Sequence, residues 1–286
     1  MTSLRSTPLH DHSDIGMEWT TDWRYQVADF FCGRGGVGRA LLEKPLPIEQ
    51  FAFIGFDIED YSDSYPGRFK QVDLFNVSPS ELADRVQGGF RSYESFKADV
   101  IWASFPCTAY SSLSPTHYGS QEAALEANPR ITDEFREFLL EMAPHYVIEN
   151  VPRATKIGDL KANVRVNGLA FGLPFNLERH FETTFKCPSA YLDTDPDVVI
   201  DTRDNQSVEA LADAKGVPSE WGKQSVRSAM PTEYVTWILH HCPSVPGLMP
   251  QRKDQLLVHD PPTDTGIHSH PHLNDDTDPG NGGVWR

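Results

Sequence analysis

The chain has 286 residues, an apolar fraction of 39% that includes 16 Phe and 6 Trp, and a net charge of −16. That is enough apolar material for one large domain or two small ones, and no apolar run approaches the ~18 residues of a membrane span. Cysteines stand at 32, 107, 187 and 242 with no Cys-x-x-Cys pair, which excludes the usual spacing of a zinc knuckle or disulfide framework; free thiols and a cytoplasmic setting are expected.

Residues 1–22 are polar, lack the apolar core of a signal peptide, and read as a flexible leader. A strand signal over Tyr25–Phe31 runs into a glycine-rich turn and a short helix, Gly36–Glu43. Phe51–Ile58 is a second apolar run ending in acids, Phe69–Leu74 a third strand candidate, and Pro79–Val86 a helix. Ala98–Ser104 is a buried strand. In Glu134–Met142, Phe135, Phe138, Leu139 and Met142 fall on one helical face, and Ala143-Pro144 stops the helix before a further strand, Tyr146–Val151. Strands alternating with helices predict an α/β domain over 23–242, its mostly parallel sheet covered by helices on both faces. Residues 243–286 are rich in Pro, Asp, His and Gly without periodicity and predict a disordered tail. His268, His270 and His272 alternate there, but an incidental polar tail is the simpler reading and no metal site is assigned.

The stretch Asp29-Phe30-Phe31-Cys32-Gly33-Arg34-Gly35-Gly36 follows the first strand and opens a helix. Glycines there let backbone approach a ligand, and the helix start offers free amides. Taken singly, the motif also describes a tight turn with no ligand. Asp57 closes the second apolar run, where dinucleotide-type folds place an acid for ribose hydroxyls. Asp73 closes the third candidate strand, either as an acceptor for an adenine amino group or as a plain loop acid.

The strand at 98–104 leads directly into Phe105-Pro106-Cys107-Thr108-Ala109-Tyr110-Ser111. A cysteine just past a buried strand, held by proline, is placed for covalent chemistry, although a small buried thiol has the same local signature. Glu149-Asn150-Val151 ends the next strand, and a carboxylate desolvated there can stay protonated and donate to a heterocycle.

In order, these motifs resemble the cytosine-5 DNA methyltransferase family. Asp29 to Gly36 matches its Asp-x-Phe-x-Gly-x-Gly-Gly motif, Phe105-Pro106-Cys107 its Pro-Cys motif, and Glu149-Asn150-Val151 its Glu-Asn-Val motif. Phe171-Gly172-Leu173-Pro174 with Arg179 is similar to its Gly-x-Pro-Gln-x-Arg-x-Arg element, with Phe175 in place of Gln and Leu177 in place of the first Arg. Ser228-Ala229-Met230-Pro231 resembles a worn late Gly-Asn-x-x-Pro motif.

The resemblance, spanning about residues 25 to 240, implies a Rossmann-like class I methyltransferase fold. S-adenosylmethionine would be held by Asp29, Phe31, Gly33, Gly35, Gly36, Asp57, Asp73 and Pro106. Cys107 would be the nucleophile, Glu149 the acid at ring nitrogen 3 and Arg179 the ligand of the ring carbonyl, and no catalytic role falls to Cys32, Cys187 or Cys242. The loop Thr108–Gly119 would close over a flipped base. The recognition region between the Arg179 element and the late motif shrinks to 185–225, as in compact phage-encoded members, so sequence readout is minimal or supplied by a protein partner; a monomer is expected.

The charge sits awkwardly with DNA, whose binding displaces counterions from a basic face. Either the acidity lies in the tails and on the far side, or the protein works at high salt. The alternatives are a cytosine mononucleotide or single-stranded DNA as substrate, a non-catalytic cofactor-binding homologue, or transfer of a modified methyl group.

Overall fold

The computed structural model of the protein describes residues 25–43, 51–86, 97–192 and 207–245. The expected leader at 1–22, the expected tail beyond 245 with its three histidines, and residues 193–206 of the expected recognition region lie outside the described residues.

Among the described residues seven strands form one sheet. They are β1 (Tyr25–Phe30), β2 (Phe51–Asp57), β3 (Arg68–Gln71), β4 (Val100–Ser104), β5 (Tyr146–Asn150), β6 (Val164–Val166) and β7 (Arg179–Thr183), in spatial order β3-β2-β1-β4-β5-β7-β6. The first five run parallel, and β7 runs antiparallel to both of its neighbours. Every residue of β1 and of β5 is buried, as a strand covered on both faces requires.

Side chains alternate between two apolar layers. Val27, Val100, Trp102 and Val147 face α1 (Gly36–Glu43) and α9 (Thr232–His240), packing with Leu41, Tyr234 and Ile238. Ala28, Ile101, Ala103 and Ile148 face the opposite layer, α2 (Pro79–Arg85), α5 (Asp133–Met142) and α6 (Pro152–Ile157), through Leu82, Leu139 and Ala154. This is a Rossmann-like α/β architecture, a mostly parallel sheet with helices on both faces, as anticipated from the motifs. Local chemistry sets the ends: Ser78 and Glu81 form a reciprocal capping box on α2, Thr132 caps α5, and left-handed Gly158 closes α6.

The structure departs from the sequence reading in two places near the top of the sheet. The third strand stops at Gln71 rather than Leu74, because Asp73 turns the chain by accepting the amide of Phe75 at 3.0 Å. The segment Thr108–Gly119 is not an open loop: it contains α3 (Ser114–Tyr118), which ends at left-handed Gly119 and leads into α4 (Gln121–Ala127), capped by Ser120. The segment expected to be a short recognition region is also partly helical among its described residues. It carries α7 (Val208–Lys215), a 3₁₀ turn at Ser219–Trp221 and α8 (Gly222–Ser228), joined by a small apolar cluster of Leu211, Val217, Trp221 and Val226.

Candidate active site

The strand order reverses between β1 and β4, so the crevice beyond their carboxyl ends is the switch point where such sheets take ligands. The glycine-rich turn and the Cys107 segment both leave from it. Phe31 turns the chain with φ +56°, a left-handed backbone unusual for a bulky residue; Gly33 and Gly35 follow at +51° and +91°. The Cys32 amide donates to the Phe56 carbonyl at 3.1 Å, and the Gly33 amide to Asp57 Oδ2 at 2.9 Å, which ties the turn to the end of β2. A Cβ on Gly33 would meet nothing within 4 Å, so open space lies over the turn there. On Gly35 it would collide with Pro66 Cδ, and on Gly36 it would sit 2.9 Å from the Met230 nitrogen. Packing therefore requires both glycines, and the turn requires Gly35 as well.

Asp29 is wholly buried. Tyr65 donates to its Oδ2 at 3.2 Å, while Oδ1 has no partner. Burial drives its carboxyl far above the usual carboxylate range; the Tyr65 hydroxyl opposes this and the Asp57 charge adds to it. Asp29 thus supports the turn from inside the protein. Asp57 is partly exposed, also pushed up by burial, and accepts the amides of Gly33 and Glu59. Asp73 is engaged locally, with Phe75 N–H on Oδ1 and the Asn76 amide on Oδ2 at 2.7 Å. Two apolar side chains that the motifs did not single out flank these acids: Ile58 is 58% exposed and Phe75 42% exposed. Phe75 also packs on Phe31 and Phe105, with ring centroids 5.2 and 5.5 Å away.

Across the crevice, Cys107 lies at the surface at the end of β4, after buried Phe105 and half-buried Pro106. Crowding by the surrounding protein, and then the negative charge of Glu149, push its thiol pKa up, and Arg179 pulls it back. The segment beyond is held at several points. The amides of Tyr110 and Ser111 return to the Cys107 carbonyl at 2.9 and 2.8 Å, and Gln121 Nε2 donates to the Ala109 carbonyl at 2.7 Å. Ser114 donates to the Thr108 carbonyl. The buried Tyr110 hydroxyl donates to Asp159 at 2.8 Å and accepts the Ile131 amide at 2.8 Å.

Glu149 and Arg179 meet because β7 runs backwards. Parallel strands present their last residues at this edge, and a reversed strand presents its first. Arg179 Nε lies 2.9 Å from Glu149 Oε1, and Asn150, paired with His180 in the sheet, sends its side-chain amide to the Phe105 carbonyl at 2.9 Å. Burial pushes the Glu149 carboxyl above its ordinary value, while Arg179 and then Lys215 oppose the shift. Lys215 is 2% exposed, and burial with the neighbouring Arg179 charge pulls it down to about 7, against the pull of Glu149. Tyr110 and Asn150 fall inside the motif stretches of Cys107 and Glu149, but the sequence gives them no role, and Lys215 is not legible near the site at all.

The structure therefore brings Cys107, Glu149 and Arg179 into one electrostatic cluster, with the Gly33–Asp57 turn on the facing loop. Among the described residues no group of three or more His, Cys, Asp or Glu side chains is placed to hold a metal, and no helix is long and apolar enough to cross a membrane. An open depression lined by Asn163, Thr183, Phe185, Cys187 and His241 lies at the opposite edge, where β7 ends, and takes no part in this cluster.

No family profile and no curated protein sequence matches the chain. Solved structures do resemble it at low identity. The methyltransferase EhMeth of Entamoeba histolytica is 16% identical, with 65% of this chain and 64% of that one covered and a TM-score of 0.38. A protein described as a DNA modification methyltransferase encoded within a prophage of E. coli is 18% identical over 56% of this chain and 46% of that one, with a TM-score of 0.35. One described as a ribosomal RNA methyltransferase of Plasmodium falciparum is 12% identical over 57% and 87%, with a TM-score of 0.29. The chain spans less than two thirds of the length of the first two.

Proposed function

We propose that the chain transfers a methyl group from S-adenosylmethionine to carbon 5 of cytosine in DNA, through a covalent adduct of Cys107. The observation that carries this reading is the convergence of Cys107, Glu149 and Arg179 at the carboxyl edge of the sheet, from three separate elements, with Arg179 Nε 2.9 Å from Glu149. The facing turn fits the cofactor. There is open space over Gly33, the Asp57 carboxylate is partly exposed, and Ile58 and Phe75 offer apolar surface to a flat ring.

When bound, the cofactor supplies an electrophilic methyl group. The Cys107 thiolate adds to carbon 6 of the cytosine, forming the S–C bond while the ring electrons move towards carbon 5. Glu149, whose carboxyl is pushed up by burial, donates in its protonated form to ring nitrogen 3 and stabilises the charge that accumulates there. Arg179 turns from Glu149 to the ring carbonyl oxygen, and Glu149, relieved of that cation, holds its proton more firmly. Carbon 5 would then take the methyl group as the bond to the cofactor's sulfonium sulfur breaks and the neutral thioether is released; the carbon 5 proton passes to water and Cys107 leaves as the thiolate, which restores the aromatic ring. In duplex DNA the base must leave the stack to reach this crevice.

The sequence carries −16 net charge and only a short region between β7 and α8, which favours a second reading with single-stranded DNA or a cytosine mononucleotide as substrate. On the DNA reading the chain acts as a monomer, with target choice left to this short region or to a protein partner. Nucleoside mass spectrometry separates the two. Purified protein is incubated with S-adenosylmethionine and unmethylated duplex, single-stranded DNA or dCMP, at low and at multimolar salt, and digests are searched for 5-methylcytosine and for heavier cytosine adducts. Modified cytosine only in the duplex supports the first reading, and only in dCMP or single strands the second. No modified cytosine anywhere removes both and leaves a cofactor-binding homologue.

A further inference from the structure

Tyr110 is wholly buried, three residues beyond Cys107, and both its amide and its hydroxyl are engaged. The amide donates to the Cys107 carbonyl at 2.9 Å. The hydroxyl accepts the Ile131 amide at 2.8 Å, just before α5, and donates to Asp159 Oδ2 at 2.8 Å, one residue past the glycine that closes α6. A phenylalanine would fill the same apolar space but leave the buried Ile131 amide without a partner. The hydroxyl therefore serves these two bonds rather than the packing.

Asp159 is the junction of a larger network. Arg130 grips its carboxylate from the outside, with Nε on Oδ2 at 2.7 Å and Nη2 on Oδ1 at 2.5 Å. Arg136 Nη2 donates to its backbone carbonyl at 2.6 Å, and the same guanidinium holds both oxygens of Glu182 on β7. Glu182 lies three residues beyond Arg179 and also accepts the Tyr146 hydroxyl at 3.0 Å and the Lys161 amide at 2.7 Å. An unbroken series of bonds thus runs from the Cys107 carbonyl through Tyr110, Asp159 and Arg136 to the strand that carries Arg179. Charged, bidentate bonds fix geometry as well as adding stability, and a buried network with every member satisfied is rigid.

We propose that Tyr110 and Asp159 are positioning residues of the transfer site: Asp159, clamped by Arg130 and Arg136, holds the Tyr110 hydroxyl, and Tyr110 thereby sets where the turn at Cys107 places its thiol relative to Glu149 and Arg179. The inference rests on the reading of Cys107 as the nucleophile. Neither residue touches the reacting atoms; both act through the backbone of the Cys107 turn. The charged groups that act on the thiol are Glu149 on β5 and Arg179 on β7, and crowding by the surrounding protein outweighs either. A thiol released from its place loses that crowding first, so its ionisation moves to lower pH. A network that served stability alone would leave the ionisation of Cys107 in the folded protein unchanged.

The test uses two readings on the wild type, Tyr110→Phe, Asp159→Ala and the double variant. One is the pH profile of Cys107 alkylation by iodoacetamide, followed by mass spectrometry of the Cys107 peptide. The other is hydrogen exchange of the Ser111 amide, which donates to the Cys107 carbonyl at 2.8 Å, against the mid-sheet Ile148 amide. Each single variant is expected to lower the alkylation midpoint by about half a pH unit or more. Each should also speed Ser111 exchange about tenfold or more relative to Ile148. The double variant should go no further than the larger single one, because the two residues act as one brace. Arg130, whose side chain is 46% exposed, supplies a milder variant. If the others do not fold, Arg130→Gln decides alone, with a change in the same direction on both readings. An unmoved midpoint, Ser111 exchange that rises only in step with Ile148, or additive effects in the double variant would overturn the proposal. Neither reading needs cofactor or DNA, so a chain with this brace but no methyl transfer would refute the functional reading and not the role of Tyr110 and Asp159.

Discussion

The side-chain amide of Asn150 reaches across from the end of β5 to the carbonyl oxygen of Phe105, at 2.9 Å, while its own oxygen accepts the Val151 amide at 2.9 Å. One buried residue thereby fixes the distance between the strand end that carries Glu149 and the segment that carries Cys107. Asn150→Ala leaves the Phe105 carbonyl unpaired and is expected to cost about 1–3 kcal/mol of stability. Single-turnover methyl transfer should fall by about ten- to a hundredfold, because a misplacement near 1 Å has that effect. A folded variant with an unchanged rate would show that the bond is structural only.

Cys107→Ala should abolish turnover and leave cofactor affinity within about twofold of the wild type, since the thiol stands at the end of β4 while the Gly33–Asp57 turn is built from the ends of β1 and β2. Titration calorimetry with S-adenosylmethionine beside a turnover assay checks both halves. Residual turnover at the wild-type rate would remove Cys107 as nucleophile.

Asp57→Ala takes the acceptor from the Gly33 amide and a carboxylate from the crevice. Cofactor dissociation is expected to weaken by about tenfold or more, the loss of one charged hydrogen bond. An unaltered dissociation constant would refute a ribose role for Asp57.

The pH profile should respond to Arg179 in a defined direction. Burial raises the Glu149 carboxyl and crowding raises the Cys107 thiol, and Arg179 lowers both. The proposed reaction needs Glu149 protonated and Cys107 ionised, so the limb governed by each moves the same way when the cation goes. Arg179→Met is expected to lower the rate and to carry both limbs of its pH profile to higher pH. A profile that only falls in height would mean that Arg179 acts on the substrate alone.

Arg136 holds Glu182 in a buried bidentate pair, with Nε on Oε1 at 2.6 Å and Nη2 on Oε2 at 2.8 Å. Arg136→Met strands the carboxylate and should cost roughly 3–5 kcal/mol at neutral pH, measured by urea unfolding. Burial alone would raise Glu182, but Arg136 and the Lys161 amide outweigh it and hold the carboxyl below its ordinary value. A depressed carboxylate stabilises the fold above its unfolded pKa, and that contribution is lost as pH falls through the folded one. The gap between wild type and Arg136→Met should therefore narrow below about pH 4. A constant gap across that range would show that Glu182 keeps an ordinary pKa.

The β1 turn, the run-in to Cys107 and the amphipathic helix ending at Met142 were legible because each depends on local order: an apolar strand, glycines at a tight bend, one helical face. The short helix at Ser114–Tyr118 was not, because Pro115 and a serine-rich context signal a loop and its stability comes from Ser114 and Gln121 bonding back to Thr108 and Ala109. Asp73 carried the pattern of a strand-end acid, yet its side chain is spent on a turn with Phe75 and Asn76. Lys215 gave no signal at all. Its partners are backbone carbonyls 11 to 14 residues further on, and its link to Glu149 arises only when the reversed strand and α7 come together.

The fastening of the segment after Cys107 also has a thermodynamic side. Tyr110, Ser114 and Gln121 order it during folding, so the entropy of ordering is not left for the moment of binding. Substrate encounter should then be insensitive to solvent viscosity in the closure step that a swinging lid imposes. If the substrate is duplex DNA, as proposed, the slow motion of the cycle belongs to the nucleic acid, in the lifetime of an unstacked cytosine, and weakened base pairs such as mismatches at the target should speed it.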